Sequence, residues 1–181
     1  MIIASRNIVL IKSYFYTMKR SLYLLFAFLH AGFATSQDNK GIEIWDFEKL
    51  ELYIQESTGK MKIINFWATW CGPCIRELPL FENIKQDYKK DAEVLLVSLD
   101  FSDMLESRVI PFVEKQGLSA KVILLSDEDY NSWIDKVHPS WSGSIPATLF
   151  VRTDGQRIFF EDEFEEEELS NLIDELLNKT Q

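Results

Sequence analysis

The sequence predicts an α/β domain with a central mixed β-sheet and helices on both faces. Two mainly apolar runs, at residues 61–67 and 93–99, have the composition of buried strands. Segments with helical spacing of apolar residues alternate with the strands, which predicts parallel pairing. Near the carboxyl terminus, residues 153–155 (Thr-Asp-Gly) join two short strands in a hairpin, and a helix follows. The hairpin adds antiparallel strands, so we expect the sheet to be mixed.

The first half of the domain is predicted to contain two strands and two helices. Residues 42–45 alternate apolar and polar side chains, as a short strand does. Asp46 is placed to cap a helix that continues to about residue 56. The strand at 61–67 comes next, and it is expected to be central because it is apolar almost throughout. A helix from about residue 72 to 90 follows it.

The second half is predicted to continue the alternation and then change to the hairpin. Gly117 is a good residue for ending a helix, because glycine adopts the left-handed conformation without strain. The predicted elements are a strand at 93–99, a helix at 104–116, a strand at 121–125, a helix at 128–137, strands at 147–151 and 156–160, and a last helix whose apolar face is Leu169, Leu172, Ile173, Leu176 and Leu177.

The first 36 residues are predicted to be a secretory signal peptide. A positive pair, Lys19 and Arg20, precedes an apolar core at residues 22–33, which is too short to span a bilayer comfortably. Residues 34–36 (Ala-Thr-Ser) place small side chains at the cleavage site. Met18 is an alternative initiator, because the signal is complete from that residue.

Cleavage would leave residues 37–181 as an exported, periplasmic domain. The alternative is an uncleaved leader that anchors the chain to the membrane at its amino terminus. The whole chain has a net charge of −10, and the leader is basic, so the domain itself is more acidic still. Such a charge predicts no binding to nucleic acid or to an anionic membrane surface.

The only two cysteines of the chain, Cys71 and Cys74, lie between the strand at 61–67 and the helix that follows it. A Cys-x-x-Cys in this context indicates redox chemistry. Cys71 is expected at the start of the helix, where free N–H groups and the helix dipole favour a thiolate. Pro73 suits the first helical turn, because its missing N–H would be unpaired there anyway. Cys74 should be less exposed and should resolve a mixed disulfide.

Two structural roles for the cysteines compete with this prediction. A structural zinc site needs about four ligands, whereas the domain offers only His138 as a further soft ligand. A purely structural disulfide would close a very short loop and stabilise the fold little. We therefore expect neither a metal nor a cofactor beyond the redox-active Cys71–Cys74 disulfide.

Residues 66–74 (Phe-Trp-Ala-Thr-Trp-Cys-Gly-Pro-Cys) resemble the thioredoxin superfamily, and more narrowly the exported TlpA/ResA-like thiol–disulfide oxidoreductases. Glu77, Leu78 and Pro79 resemble the Glu-x-Pro common after the cysteines in that group. The resemblance covers about residues 42–177. It implies a thioredoxin-like fold for the whole domain.

The resemblance also implies roles for residues around the cysteines. Pro146 should be the cis-proline that faces the disulfide, which would let the Ile145 backbone pair with an extended client peptide. Trp70 is expected to form a wall of the client groove. Gly72 and Pro73 between the cysteines match thioredoxin, which favours reduction over oxidation.

One departure from thioredoxin concerns the base that activates Cys74. Thioredoxin has a buried Asp where this chain has Asn65, and an amide cannot take a proton. Glu77 and Asp100 are weak candidates for the base, and the alternative for each is a solvated surface acid. Residues 161–168, nearly all acidic, are expected to stabilise the start of the last helix through its dipole, in preference to a metal or a partner.

The leading functional hypothesis is a protein-disulfide reductase that uses Cys71 and Cys74. Its predicted partners are disulfide-containing proteins and an upstream thiol protein that supplies electrons. The alternatives are a disulfide oxidase or isomerase on the same fold, or a non-enzymatic module that binds thiols or a metal.

Overall fold

The computed structural model describes residues 41–178, so the predicted signal peptide lies outside the described residues. One sheet of six strands forms its centre, in the order β1-β4-β3-β2-β5-β6. The strands are β1 (Glu43–Trp45), β2 (Met61–Trp67), β3 (Ala92–Ser98), β4 (Lys121–Leu125), β5 (Ala147–Val151) and β6 (Arg157–Phe160).

The sheet is mixed, as predicted. β1, β4, β3 and β2 run parallel, β5 runs antiparallel to β2, and β6 is antiparallel to β5. All seven residues of β2 are buried, because β2 has strand neighbours on both edges and helices over both faces. The two cysteines follow the carboxyl end of this central strand, where open α/β sheets place their sites.

Within residues 41–178, five α-helices cover the sheet: α1 (Phe47–Gln55), α2 (Gly72–Asp87), α3 (Ile110–Gln116), α4 (Ile134–Val137) and α5 (Glu166–Asn178). Apolar residues of α2 and α5 belong to the core on one face of the sheet. Those of α1 and α4 belong to the core on the other face. None of the helices within residues 41–178 has the length and apolar character needed to cross a bilayer.

Local sequence signals correctly predicted the start of α1 and the end of α3. The Asp46 carboxylate accepts a hydrogen bond from the Lys49 backbone N–H at 2.8 Å and so caps α1. Gly117 ends α3 with a φ of 65°, a left-handed conformation that favours glycine.

The predicted continuous helix at 104–116 is wrong in its first part. The chain there forms a 3₁₀ turn (Ser102–Met104), then a π-helical turn (Leu105–Val109), before α3 begins. Pro111 explains part of the change: it has no N–H with which to continue an α-helical ladder.

The predicted helix at 128–137 is also interrupted. A 3₁₀ turn (Tyr130–Ser132) and α4 are separated by Trp133, whose φ of −137° is not helical. Trp133 is buried, and its indole N–H donates to the Asp127 carbonyl. Tertiary packing of this large side chain therefore overrides the helical pattern.

Candidate active site

The two cysteines form a disulfide at the amino-terminal end of α2. Cys71 is the residue that caps the helix, and its Sγ lies 3.3 Å from the Cys74 backbone nitrogen, whose N–H points to it. Cys71 keeps 5% of its surface exposed, whereas Cys74 is fully buried. An incoming sulfur therefore reaches Cys71 first. In the reduced state, the same N–H and the helix dipole would favour a Cys71 thiolate.

Ile145 lies beside this disulfide, and the peptide bond between Ile145 and Pro146 is cis. The Ile145 carbonyl oxygen is 3.7 Å from Cys71 Sγ. Trp70, which precedes Cys71, is 63% exposed. The exposed Trp70 thus directly precedes the slightly exposed Cys71, and the Ile145 carbonyl, just before β5, lies next to the Cys71 sulfur.

Glu77 is buried, which excludes the alternative of a solvated surface acid. It lies one helical turn after Cys74, and its carboxylate accepts hydrogen bonds from Asn65 Nδ2 at 2.7 Å and from the Phe164 N–H at 3.0 Å. Burial raises the pKa of Glu77 to about 7, even though these two hydrogen bonds oppose the shift. A carboxyl group with such a pKa can accept and release protons near neutrality.

The raised pKa of Glu77 predicts a pH-dependent stability. The folded state holds this proton more tightly than the unfolded state does, so the stabilising contribution is complete below about pH 4.5 and is lost as the pH rises through about 7. In Glu77→Gln this dependence disappears. Relative to wild type, the variant's free energy of unfolding should rise by on the order of 2 kcal/mol between pH 5 and pH 8.

Urea unfolding of both proteins at the two pH values measures this difference. The absolute stability of Glu77→Gln is not the readout, because the amide has only one oxygen and cannot accept from both Asn65 Nδ2 and the Phe164 N–H. If the free energies of unfolding of variant and wild type differed by the same amount at pH 5 and pH 8, the assignment of a raised pKa to Glu77 would be wrong.

Asp100 is also buried, so the alternative of a solvated surface acid is excluded for it too. It follows β3, and its carboxylate accepts hydrogen bonds from the Thr69 N–H at 2.9 Å, the Thr69 hydroxyl at 2.6 Å and the Ser98 hydroxyl at 2.8 Å. These three hydrogen bonds use both carboxylate oxygens of Asp100 and hold the turn that precedes the cysteines. The geometry therefore favours a structural role for Asp100 over that of a proton acceptor.

We expect Asp100→Ala to destabilise the fold by about 2–3 kcal/mol, because it leaves the Thr69 and Ser98 donors without their buried acceptor. Urea unfolding at pH 7 tests this. The matched control is Asp103→Ala, which removes an exposed acid from the following turn and should change the stability little. Equal stability of the two variants would show that the Asp100 hydrogen bonds contribute nothing.

The acidic segment is defined as residues 161–168. Most of it does not have the predicted role, which is to stabilise the start of the last helix through its dipole. Only Glu166, Glu167 and Glu168 lie in the first turn of α5, where the helix dipole stabilises them. Glu163 forms a two-point ion pair with Arg76 of α2, with its closest N–O distance at 2.6 Å. Glu161 lies five residues before the start of α5, beyond the first turn to which the effect of the helix dipole is confined.

Sequence reasoning missed the contribution of this acidic segment to the site. Glu161 binds the loop before Ile145, and the Phe164 N–H binds Glu77. No local pattern in the sequence could have paired these residues. The sequence contained one indication, because Phe164 is an apolar residue inside an acidic run. In the structure, Phe164 is buried.

The described part of the chain contains no group of three or more His, Cys, Asp or Glu side chains placed to hold a metal ion. His138 stacks on the Phe159 ring, with 5.2 Å between the ring centroids, and its Nδ1 contacts the Ser140 hydroxyl. It belongs to a surface loop.

The sequence of this chain is similar to those of several curated bacterial proteins. A profile of the AhpC/TSA family matches residues 38–156. The thiol-disulfide oxidoreductase ResA of Oceanobacillus iheyensis is 29% identical over 112 residues, which are 61% of this chain and 54% of that protein. The ResA of Bacillus thuringiensis subsp. konkukian is 26% identical over 159 residues, or 83% of this chain and 85% of that protein. The chain spans only about half of the length of the first curated relatives that it matches.

Solved structures support the same fold. An uncharacterized thioredoxin-like protein from Porphyromonas gingivalis superposes with a TM-score of 0.55 at 28% identity, covering 70% of this chain and 81% of that one. The resemblance to exported thioredoxin-like proteins of the TlpA/ResA kind that the cysteine motif indicated is thus confirmed at the level of family and fold.

Proposed function

The chain belongs to the AhpC/TSA family, and on that premise we propose that it is a thiol–disulfide oxidoreductase that reduces disulfides in client proteins through Cys71 and Cys74. One observation carries the proposal. The disulfide lies at a helix start with only Cys71 reachable, and the Ile145 carbonyl is 3.7 Å from its sulfur.

The first step is attack by the reduced Cys71 thiolate on one sulfur of a client disulfide. A bond forms between Cys71 Sγ and that sulfur, the client S–S bond breaks, and the other client sulfur leaves as a thiolate. The helix start and the Cys74 N–H stabilise the attacking thiolate. The client backbone is expected to lie along Ile145 in extended form, beside Trp70.

The second step is resolution of the mixed disulfide by Cys74. Its thiol loses a proton and attacks Cys71 Sγ, and the second client sulfur leaves as a thiolate. Two electrons have then passed to the client, and the Cys71–Cys74 disulfide remains. We assign Glu77 as the acceptor of the Cys74 proton, because it lies one turn further along α2 and has a pKa of about 7.

Repeated turnover requires a second protein thiol that reduces the Cys71–Cys74 disulfide again. No cofactor is needed for this exchange, because the electrons pass only between sulfur atoms. We also propose that the protein acts outside the cytoplasm, on the strength of the leader sequence. That leader would deliver the protein to an oxidising compartment, where an electron supply is essential.

The direction of electron flow distinguishes a reductase from an oxidase or isomerase. Gly72 and Pro73 match thioredoxin, whose potential is about −270 mV, and a value in that region is expected here. Redox titration of Cys71–Cys74 against glutathione or dithiothreitol measures it. A potential above about −150 mV would make the protein an oxidant, and it should then promote oxidative refolding in place of insulin reduction.

A further inference from the structure

Glu161 lies just after β6 and holds the loop that leads to Ile145. Its carboxylate accepts hydrogen bonds from the Ser142 N–H at 3.0 Å, the Ser142 hydroxyl at 2.5 Å and the Ser144 N–H at 2.8 Å. Burial of this carboxylate is more than offset by the donors on Ser142 and Ser144, which lower the pKa of Glu161. The group is therefore ionised at neutral pH, and each bond is charge-assisted.

The loop at residues 142–144 has one further anchor. The buried Trp141 donates its indole N–H to the Ser144 carbonyl at 2.9 Å, so this side of the loop is fixed from the core. Gly143 between the two serines has a φ of 99°, a conformation that glycine adopts readily and other residues rarely do. Without Glu161, the N–H groups of Ser142 and Ser144 would lose their protein acceptor.

The next residue after this loop is Ile145, whose carbonyl lies beside Cys71. The position of Ile145 therefore depends on the residues that hold Ser144. On the other side of the site, Glu163 and Phe164 of the same acidic segment contact Arg76 and Glu77 of α2. One short segment thus binds both the loop before Ile145 and the helix that carries the cysteines.

We propose that Glu161 is a positioning residue that keeps the Ile145 backbone in register with Cys71, so that an extended client peptide can bind next to the attacking sulfur. The inference rests on the proposed function. It assigns Glu161 to client binding and not to the exchange of electrons, because its carboxylate accepts its hydrogen bonds from Ser142 and Ser144 of the loop.

The test compares two disulfides that share a leaving group. One is a capped linear peptide whose single cysteine is linked to 2-mercaptoethanol, and the other is bis(2-hydroxyethyl) disulfide, which has no peptide backbone. With either, the reduced protein ends as the Cys71–Cys74 disulfide, and both halves of the substrate leave as thiols. We expect Glu161→Ala to lower kcat/KM for the peptide by roughly tenfold, mainly through KM, because backbone hydrogen bonds to the client are lost. The rate with the small disulfide should stay unchanged.

Two further variants separate position from charge. Glu161→Gln keeps a carbonyl oxygen where Oε1 accepts the serine donors, so it should restore most of the peptide rate. Glu167→Ala removes the same charge from an exposed position in the acidic segment and should leave both rates at the wild-type value. If Glu167→Ala lowered the peptide rate as much as Glu161→Ala, charge would be the cause and the proposal would be wrong.

The remaining outcomes are also decisive. Equal peptide rates for Glu161→Ala and wild type would overturn the inference and leave the proposed function intact. A loss on both substrates in Glu161→Ala would overturn it as well, since the residue would then support the whole site. Failure of the wild-type protein to reduce either disulfide would overturn the proposed function, and the inference with it.

Discussion

Replacing Cys71 with serine is expected to abolish disulfide reduction, with a loss of more than about a thousandfold in kcat/KM. Cys71 is the only cysteine of the pair with exposed surface, and a serine hydroxyl is not ionised at the pH where a thiolate attacks. Insulin reduction with dithiothreitol as the electron source measures the effect. Circular dichroism should show an unchanged fold, because the substitution exchanges one sulfur for oxygen and removes a disulfide that closes only a very short loop.

Cys74→Ser is the matched variant at the other end of the motif. It leaves the attacking sulfur in place but removes the resolving one, so the reaction should stop at a mixed disulfide between Cys71 and the client. Non-reducing electrophoresis and mass spectrometry of the trapped adduct identify the sulfur. Adducts on Cys74 in the Cys71→Ser protein, at a rate similar to those on Cys71, would show that the order of attack is reversed.

The second large effect is expected at Glu77. Glu77→Gln should slow the decay of the mixed disulfide by roughly a hundredfold at pH 7.5, because the amide cannot take the Cys74 proton. The wild-type rate should rise with pH through about 7, since below that pH the carboxyl group is protonated and cannot act as a base. In the variant that rise should disappear, and the remaining pH dependence of the rate should follow the ionisation of the Cys74 thiol.

Single-turnover rapid-quench experiments with a preformed Cys71–client adduct isolate this step from the first attack. The first attack should be slowed far less, which separates loss of a base from general damage to the site. An unchanged pH profile in Glu77→Gln would remove Glu77 from the mechanism and leave the Cys74 proton to solvent.

The sequence was sufficient for the features that depend on neighbouring residues. The strand–turn–helix order around Cys71 and Cys74, the cap at Asp46 and the end of α3 at Gly117 all follow from short-range rules. The mixed sheet follows from the alternation of elements and the hairpin. Except for the sheet, whose pairing joins distant residues, these features share one property: their hydrogen bonds close within a few residues.

The burial of Glu77 and Asp100 could not be predicted, because it depends on donors from distant parts of the chain. The Phe164 N–H that binds Glu77 is 87 residues away, and the Thr69 donors of Asp100 are 31 residues away. For the same reason, Glu161 could be recognised as an acid but not as the acceptor for Ser142. The sequence left a solvated surface acid as the alternative for Glu77 and Asp100, since unpaired carboxylates are rarely buried.

The most direct test of the account is a single-turnover exchange between the reduced protein and a client protein with one accessible disulfide. Differential alkylation and mass spectrometry should find one Cys71–Cys74 disulfide formed for each client disulfide lost, with a transient adduct on Cys71 alone. Client reduction that proceeds without oxidation of Cys71 and Cys74, or no reduction at all, would contradict the claim that this pair transfers the electrons.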